Sequence, residues 1–254
     1  LGGMLFGVFG GFLMPVCDCA SIPVFHSLVK KGIPLPAAVT FLTAAPVINP
    51  VVMLSTYYAF GGNGRIVAAR VALGILASVI IGLCFTRQKK EILAGALPLS
   101  ACICCQLPPG RDGRPNKFRQ LAAHFRSELF DVMKYLLAGI GVSTFFQAAL
   151  GTGAMAAGSL GAAGSLLLMM LLAFLLSLCS SSDAMVGKNM SGGFPMASVM
   201  GFMVFGPMMD IKNLALLWGN FSKRFIAKLA AATFLVCFLV VYAFTLLGLE
   251  GWMQ

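Results

Sequence analysis

The chain has 254 residues, of which 59% are hydrophobic and only 10% charged, with a formal net charge of +10 and a mean hydropathy of +0.93. A soluble domain carries about 25% charged residues, so this chain is too poor in charge to cover a water-facing surface. Its apolar segments are continuous rather than alternating, which excludes an outer-membrane barrel and leaves an all-α polytopic membrane bundle.

In chain order, Leu1–Val16 is apolar and Gly-rich, with no charged region or cleavage site before it. It reads as the interior of a helix rather than as a signal peptide, and an N-terminal span is expected to be missing. Cys17–Phe60 is apolar but interrupted by Pro, Gly and polar residues, whereas Ile66–Phe85 is a clean span. About 20 apolar residues rising 1.5 Å each match the ~30 Å hydrocarbon core. Residues 87–127 form a basic linker, carrying Arg87, Lys89, Lys90, Arg111, Arg114, Lys117, Arg119 and Arg126 against Glu91 and Asp112. Positive charge places such a loop in the cytoplasm. Val132–Leu150, Leu160–Leu178 and Ile226–Leu247 read as further spans, and Cys179–Trp218 is a second interrupted stretch. The expected organisation is a first transmembrane repeat over 1–86, the linker over 87–127 and a second repeat over 128–254.

The repeat is carried by backbone-shaping residues. A shift of 161 positions lays Gly32-Ile33-Pro34 on Gly193-Phe194-Pro195, Phe41 on Phe202, Pro46 on Pro207 and Asn49 on Asp210. One residue of slippage lays Cys17 on Cys179. Paired interruptions in two halves point to a transporter's binding site, because unwound backbone in lipid costs several kcal/mol per unsatisfied group. Lys223, Arg224 and Lys228 before the last span, with nothing basic after it, favour inverted repeats with re-entrant hairpins. Lys30 and Lys31 fit parallel repeats better.

Three groups of residues are candidates for binding a small-molecule or ion substrate. In Pro15-Val16-Cys17-Asp18-Cys19-Ala20-Ser21-Ile22-Pro23, two thiols flank a carboxylate at the end of an apolar run. A carboxylate at membrane depth is costly and marks function, and Cys17 and Cys19 together suit a soft metal or trivalent arsenic. The plainer reading has buried thiols packing as small hydrophobes and Asp18 capping a helix. In Cys179-Ser180-Ser181-Ser182-Asp183, the residues Ser181, Ser182 and Asp183 either cap the following helix or line a site, and the two roles are compatible. Pro46 with Asn49, and Pro207 with Asp210, read either as helix-breaking turns or as the lining of a shared cavity. Asp210 pairing with Lys212 or Lys188 makes it structural instead. His26 reads as a packing histidine, and Cys102, Cys104 and Cys105 as linker thiols lacking zinc-site spacing. No phosphate-binding Gly-Lys-Ser loop is present, and the linker reads as a topology signal, with no nucleic-acid partner expected.

At these motifs the chain resembles the predicted permease family that includes the ArsP-type organoarsenical efflux permeases. The resemblance is carried by Pro15-Val16-Cys17-Asp18-Cys19, Lys31-Gly32-Ile33-Pro34, Phe41 to Pro50, Ser55-Thr56-Tyr57, Cys179 to Ala184 and Phe205 to Asn213. It implies a permease of the bacterial inner membrane with eight spans, hence parallel repeats, with sequence preceding Leu1. It implies Cys17 and Cys19 at the substrate where that is an arsenical, and in some relatives a small membrane partner subunit. The expected function is secondary transport or efflux of a small, thiophilic solute by a non-enzyme without a cofactor. The alternative is an intramembrane thiol redox protein cycling Cys17 and Cys19, whose one-residue spacer makes a strained disulfide.

Overall fold

The computed structural model describes residues 2–14, 18–86, 161–218 and 221–248. The linker, the Val132–Leu150 segment and the Cys102, Cys104 and Cys105 cluster lie outside them, as does Cys17, while Asp18 and Cys19 are described as backbone. Every element among the described residues is helical: α1 Gly2–Leu13, α2 Asp18–Lys30, α3 Leu35–Ile48, α4 Pro50–Ala59, α5 Gly64–Cys84, α6 Ala162–Leu176, α7 Ser182–Met190, α8 Met196–Met208, α9 Ile211–Trp218 and α10 Lys223–Leu246. Four stretches are long and apolar enough to cross a bilayer: α3 with α4 (Leu35–Ala59, 25 residues), α5 (21), α8 with α9 (Met196–Trp218, 23) and α10 (24).

Local chemistry sets the boundaries. Gly32 (φ 83°), and Gly61 and Gly62 (φ 65° and 86°), supply the left-handed turns before α3 and α5. Asn63 caps α5 by accepting from the Arg65 N–H at 3.0 Å. The prolines expected to break the helices do not: α3 runs through Pro46 to Ile48 and α8 through Pro207 to Met208. The breaks fall at Asn49, whose backbone is extended before Pro50, and at Met209-Asp210, where Met209 is in the β region.

Two helix pairs fix the direction of the chain. Gly7 and Gly11 bring α1 against α3 so closely that a Cβ at Gly7 would stand 2.6 Å from the Ala37 carbonyl oxygen, and one at Gly11 2.9 Å from the Ala45 Cα. This small-residue spacing of four is how helices approach without a hydrophobic driving force. Positions rise together, so α1 and α3 run the same way. Because α2 ends where α3 begins, α2 must return to the end from which α1 started. The same holds for α6, α7 and α8: Ser165 meets Ser198 with their hydroxyls 2.9 Å apart, and Ser177 reaches Asp210.

The pair α6–α7 is therefore a hairpin that turns back partway, and α1 and α2 likewise run in opposite senses. Leu160–Leu178 was expected to span; α6 instead has 15 residues, roughly 22 Å of helix, too short for a ~30 Å core. The hairpins open at opposite ends. At one end Phe25 and His26 of α2 contact Phe221 before α10, with ring centroids 5.1 and 5.8 Å apart, and Phe85 after α5 meets Phe225 at 5.6 Å. Toward the other end Lys188 of α7 lies over Phe60, between α4 and α5, 5.5 Å from its centroid. Thus α5 ends where α10 begins, and the two run in opposite senses.

Replacing Gly11 with Val forces the α1–α3 contact apart, at about 1–3 kcal/mol for overpacking. A clear drop in the melting temperature of the detergent-purified protein is expected. Gly64→Val, where a Cβ meets nothing within 4 Å, is expected to melt close to the wild type.

Candidate functional site

Among the described residues, buried polar groups concentrate at the break between α6 and α7. Ser177 closes α6 with φ 48°, the left-handed region, and α7 starts at Ser182. In between, the carbonyls of Leu178, Ser180 and Ser181 lie outside regular helix. Each receives a donor from a different element. The Lys212 ammonium on α9 donates to Leu178 O at 3.0 Å, the Arg70 guanidinium on α5 to Ser180 O at 3.3 Å, and the Ser55 hydroxyl on α4 to Ser181 O. Cys179 O accepts the Ser182 and Asp183 N–H groups at 2.8 and 3.0 Å, opening α7.

Asp210 ties this turn to the break between α8 and α9. Its Oδ1 accepts from the Asn213 N–H at 2.7 Å, capping α9. Its Oδ2 accepts from the Ser177 hydroxyl at 3.0 Å and lies 3.2 Å from the Lys212 ammonium. Ser177 Oγ also accepts from the Lys212 N–H at 3.3 Å. Asp210 and Lys212 are 0% and 5% exposed, so the pair sits where water cannot screen it. Asp183, also buried, faces α8 beside Gly206, where a Cβ would stand 3.5 Å from its Oδ2.

Asn49 is a second side chain that caps a helix at a break. Asn49 Oδ1 accepts from the Val51 N–H at 2.9 Å and so caps α4. Two turns along α4, the Thr56 hydroxyl accepts from Arg70 at 2.7 Å and donates to Val52 O at 2.7 Å. Arg70 is 1% exposed.

Of the residues expected at a site, the structure gathers Ser181, Asp183, Pro207 and Asp210 around the α6–α7 turn, with Ser182 exposed at the start of α7. Asn49 and Pro46 are buried on the neighbouring broken helix, so neither Asn49 nor Asp210 faces bulk water or fatty chains. No group of three or more His, Cys, Asp or Glu residues able to hold a metal exists among the described residues. His26 contacts Phe221 edge-on, a packing role remote from the break.

Comparison with known proteins fits this architecture. The family described as predicted permease, of ArsP type, matches residues 1–246. The chain belongs to that permease family. The UPF0718 protein YcgR of Bacillus subtilis is 37% identical over 231 residues, covering 88% of this permease and 74% of the relative. A Streptococcus mutans protein named as a putative two-component membrane permease complex subunit is 33% identical over 244 residues, covering 95% of this chain and 79% of its own. No solved structure matches significantly.

Arg70 is the permease residue that sequence reasoning passed over, because it lies inside the apolar run Ile66–Phe85. A charge within a span was the available signal. Ser177 carried none, since a lone Ser in an apolar helix is ordinary.

The engaged state of Asp210 changes what its substitution does. Asp210→Asn leaves the Lys212 cation buried without its carboxylate, and breaking a buried pair from one side costs about 3–5 kcal/mol. The purified variant is expected to melt well below the wild type, and Asp210→Asn/Lys212→Met to recover much of the loss.

Proposed function

We propose that this chain is a secondary permease in which a small solute passes between two re-entrant hairpins entering the bilayer from opposite faces. The observation that carries this reading is the α6–α7 turn, an unwound segment inside a membrane bundle whose carbonyls are held by side chains from both halves. Broken helices at mid-membrane are where carriers bind substrate and around which they rock. On this reading the halves are inverted copies, α1–α5 matching α6–α10 in order but running oppositely. Pro46 with Asn49 and Pro207 with Asp210 shape the corresponding breaks. In the sequence, Cys17, Asp18 and Cys19 stand at the point of the first half that corresponds to Ser181, Ser182 and Asp183 in the second.

The basic end supports an orientation. Lys30, Lys31, Lys223 and Arg224 gather where α2 and α5 end and α10 begins, and the linker follows from Thr86. By the positive-inside rule that end is cytoplasmic.

The buried charges of the described residues are Arg70 and Lys212 against Asp183 and Asp210. Thiols at both hairpin junctions in sequence (Cys17 and Cys19, Cys179) favour a soft, thiophilic solute, a trivalent organoarsenical being the plainest example, moved outward. The two-component name of the Streptococcus mutans relative supports a second, small membrane subunit for this chain.

Cells expressing the full-length protein are expected to tolerate trivalent organoarsenicals better and retain less arsenic than control cells. Cys17→Ser/Cys19→Ser at equal protein level is expected to abolish the protection. Equal protection by that variant, or no protection by the wild type against arsenicals or soft metals, contradicts the thiophilic assignment.

A further inference from the structure

Unwound carbonyls within transporters commonly coordinate a coupling cation such as Na⁺. The equivalent oxygens here are already engaged. Lys212 Nζ stands 3.0 Å from Leu178 O and 3.2 Å from Asp210 Oδ2, and Arg70 donates to both Ser180 O and Thr56 Oγ1. Both cations are at least nine-tenths buried.

We propose that Arg70 and Lys212 act as tethered cations that replace a bound metal ion at the α6–α7 turn, so that the turn is held without Na⁺ or any other dissolved cation. The inference rests on the permease reading and names the kind of coupling that its site does not use.

Three features of the site support this. First, the ammonium sits between a carbonyl and a carboxylate oxygen, the donor set a hard cation seeks, so a metal ion could reach those oxygens only by displacing Nζ. Second, like charges at contact in a poorly screened interior repel strongly. Third, among the described residues Asp183 and Asp210 are the buried carboxylates and Arg70 and Lys212 the buried cations that accompany them. The two cations also come from different places: Lys212 from the broken helix α9 in the hairpin's own half, Arg70 from α5 in the other. Their grip therefore joins both halves to one turn. The Lys212 and Arg70 positions are Pro-free and mid-helix or first-turn in α9 and α5, so neither side chain is needed to start or end its own helix.

Cys179 reports on this turn directly, since it is exposed and lies between the two carbonyls the cations hold. The test is N-ethylmaleimide labelling of Cys179 in the purified full-length protein, read by peptide mass spectrometry in Na⁺, K⁺ or choline at equal ionic strength. The wild type is expected to label at one rate in all three. Lys212→Ala and Arg70→Gln are expected to label about tenfold faster, the order of effect of losing one charge-assisted hydrogen bond. Methylammonium, which supplies the missing group, is expected to slow Lys212→Ala again. Should Lys212→Ala fail to fold with Asp210 left charged, Asp210→Asn/Lys212→Ala removes both charges and is expected to label fast too.

A wild-type rate that falls in Na⁺ alone, or variants that label at the wild-type rate, overturns the tethered-cation proposal and leaves the permease reading standing. A chain that moves no solute, yet shows the expected labelling pattern, overturns the permease reading instead.

Discussion

A peptide carbonyl that leaves a helix inside a bilayer has no water to turn to, and each one left unsatisfied costs several kcal/mol. At the α6–α7 turn three carbonyls outside regular helix are answered by Lys212, Arg70 and Ser55. These donors come from α9, α5 and α4, so the turn can exist only if those helices are packed around it. The rest of the fold follows from holding that unwound segment in place.

The same constraint explains why the α6–α7 turn is accompanied by a second break, between α8 and α9. A hairpin turning back at depth exposes carbonyls, and a crossing helix broken nearby can aim a capped N-terminus and its flanking side chains at them. Asp210 does both jobs, capping α9 through the Asn213 N–H while holding Ser177 and Lys212. Close backbone approach is the other requirement. Gly7 and Gly11 bring α1 against α3, and the Ser165–Ser198 hydroxyl contact does similar work between α6 and α8. Among the described residues, two buried acids, Asp183 and Asp210, accompany two buried bases, Arg70 and Lys212.

Much of this was legible in the sequence because it was written in residues with a single backbone consequence. Low charge gave the membrane class, and Gly, Pro, Asn49 and Asp210 marked both broken stretches. The pairing of Asp210 with Lys212 was among the readings its neighbours allowed. Three things were not legible. The position of each break was misplaced, because Pro46 and Pro207 are absorbed within α3 and α8 and the chain opens a few residues later. The length of α6 was overestimated, because hydropathy continues past Leu176 while the backbone turns at Ser177. Arg70 was hidden by its apolar neighbours, its role being set by a carbonyl 110 positions away. Charge bias and the eight-span resemblance disagreed over repeat direction; the Phe85–Phe225 contact places the end of α5 beside the start of α10.

The most direct test of the account is sidedness. Lys31 before α3 and Gly192 before α8 are both exposed, and each follows the returning limb of a hairpin. In sealed vesicles of known orientation carrying Lys31→Cys or Gly192→Cys in a background without other accessible thiols, a membrane-impermeant maleimide is expected to reach the two positions from opposite faces. Labelling of both from the same face would contradict hairpins that enter from opposite sides.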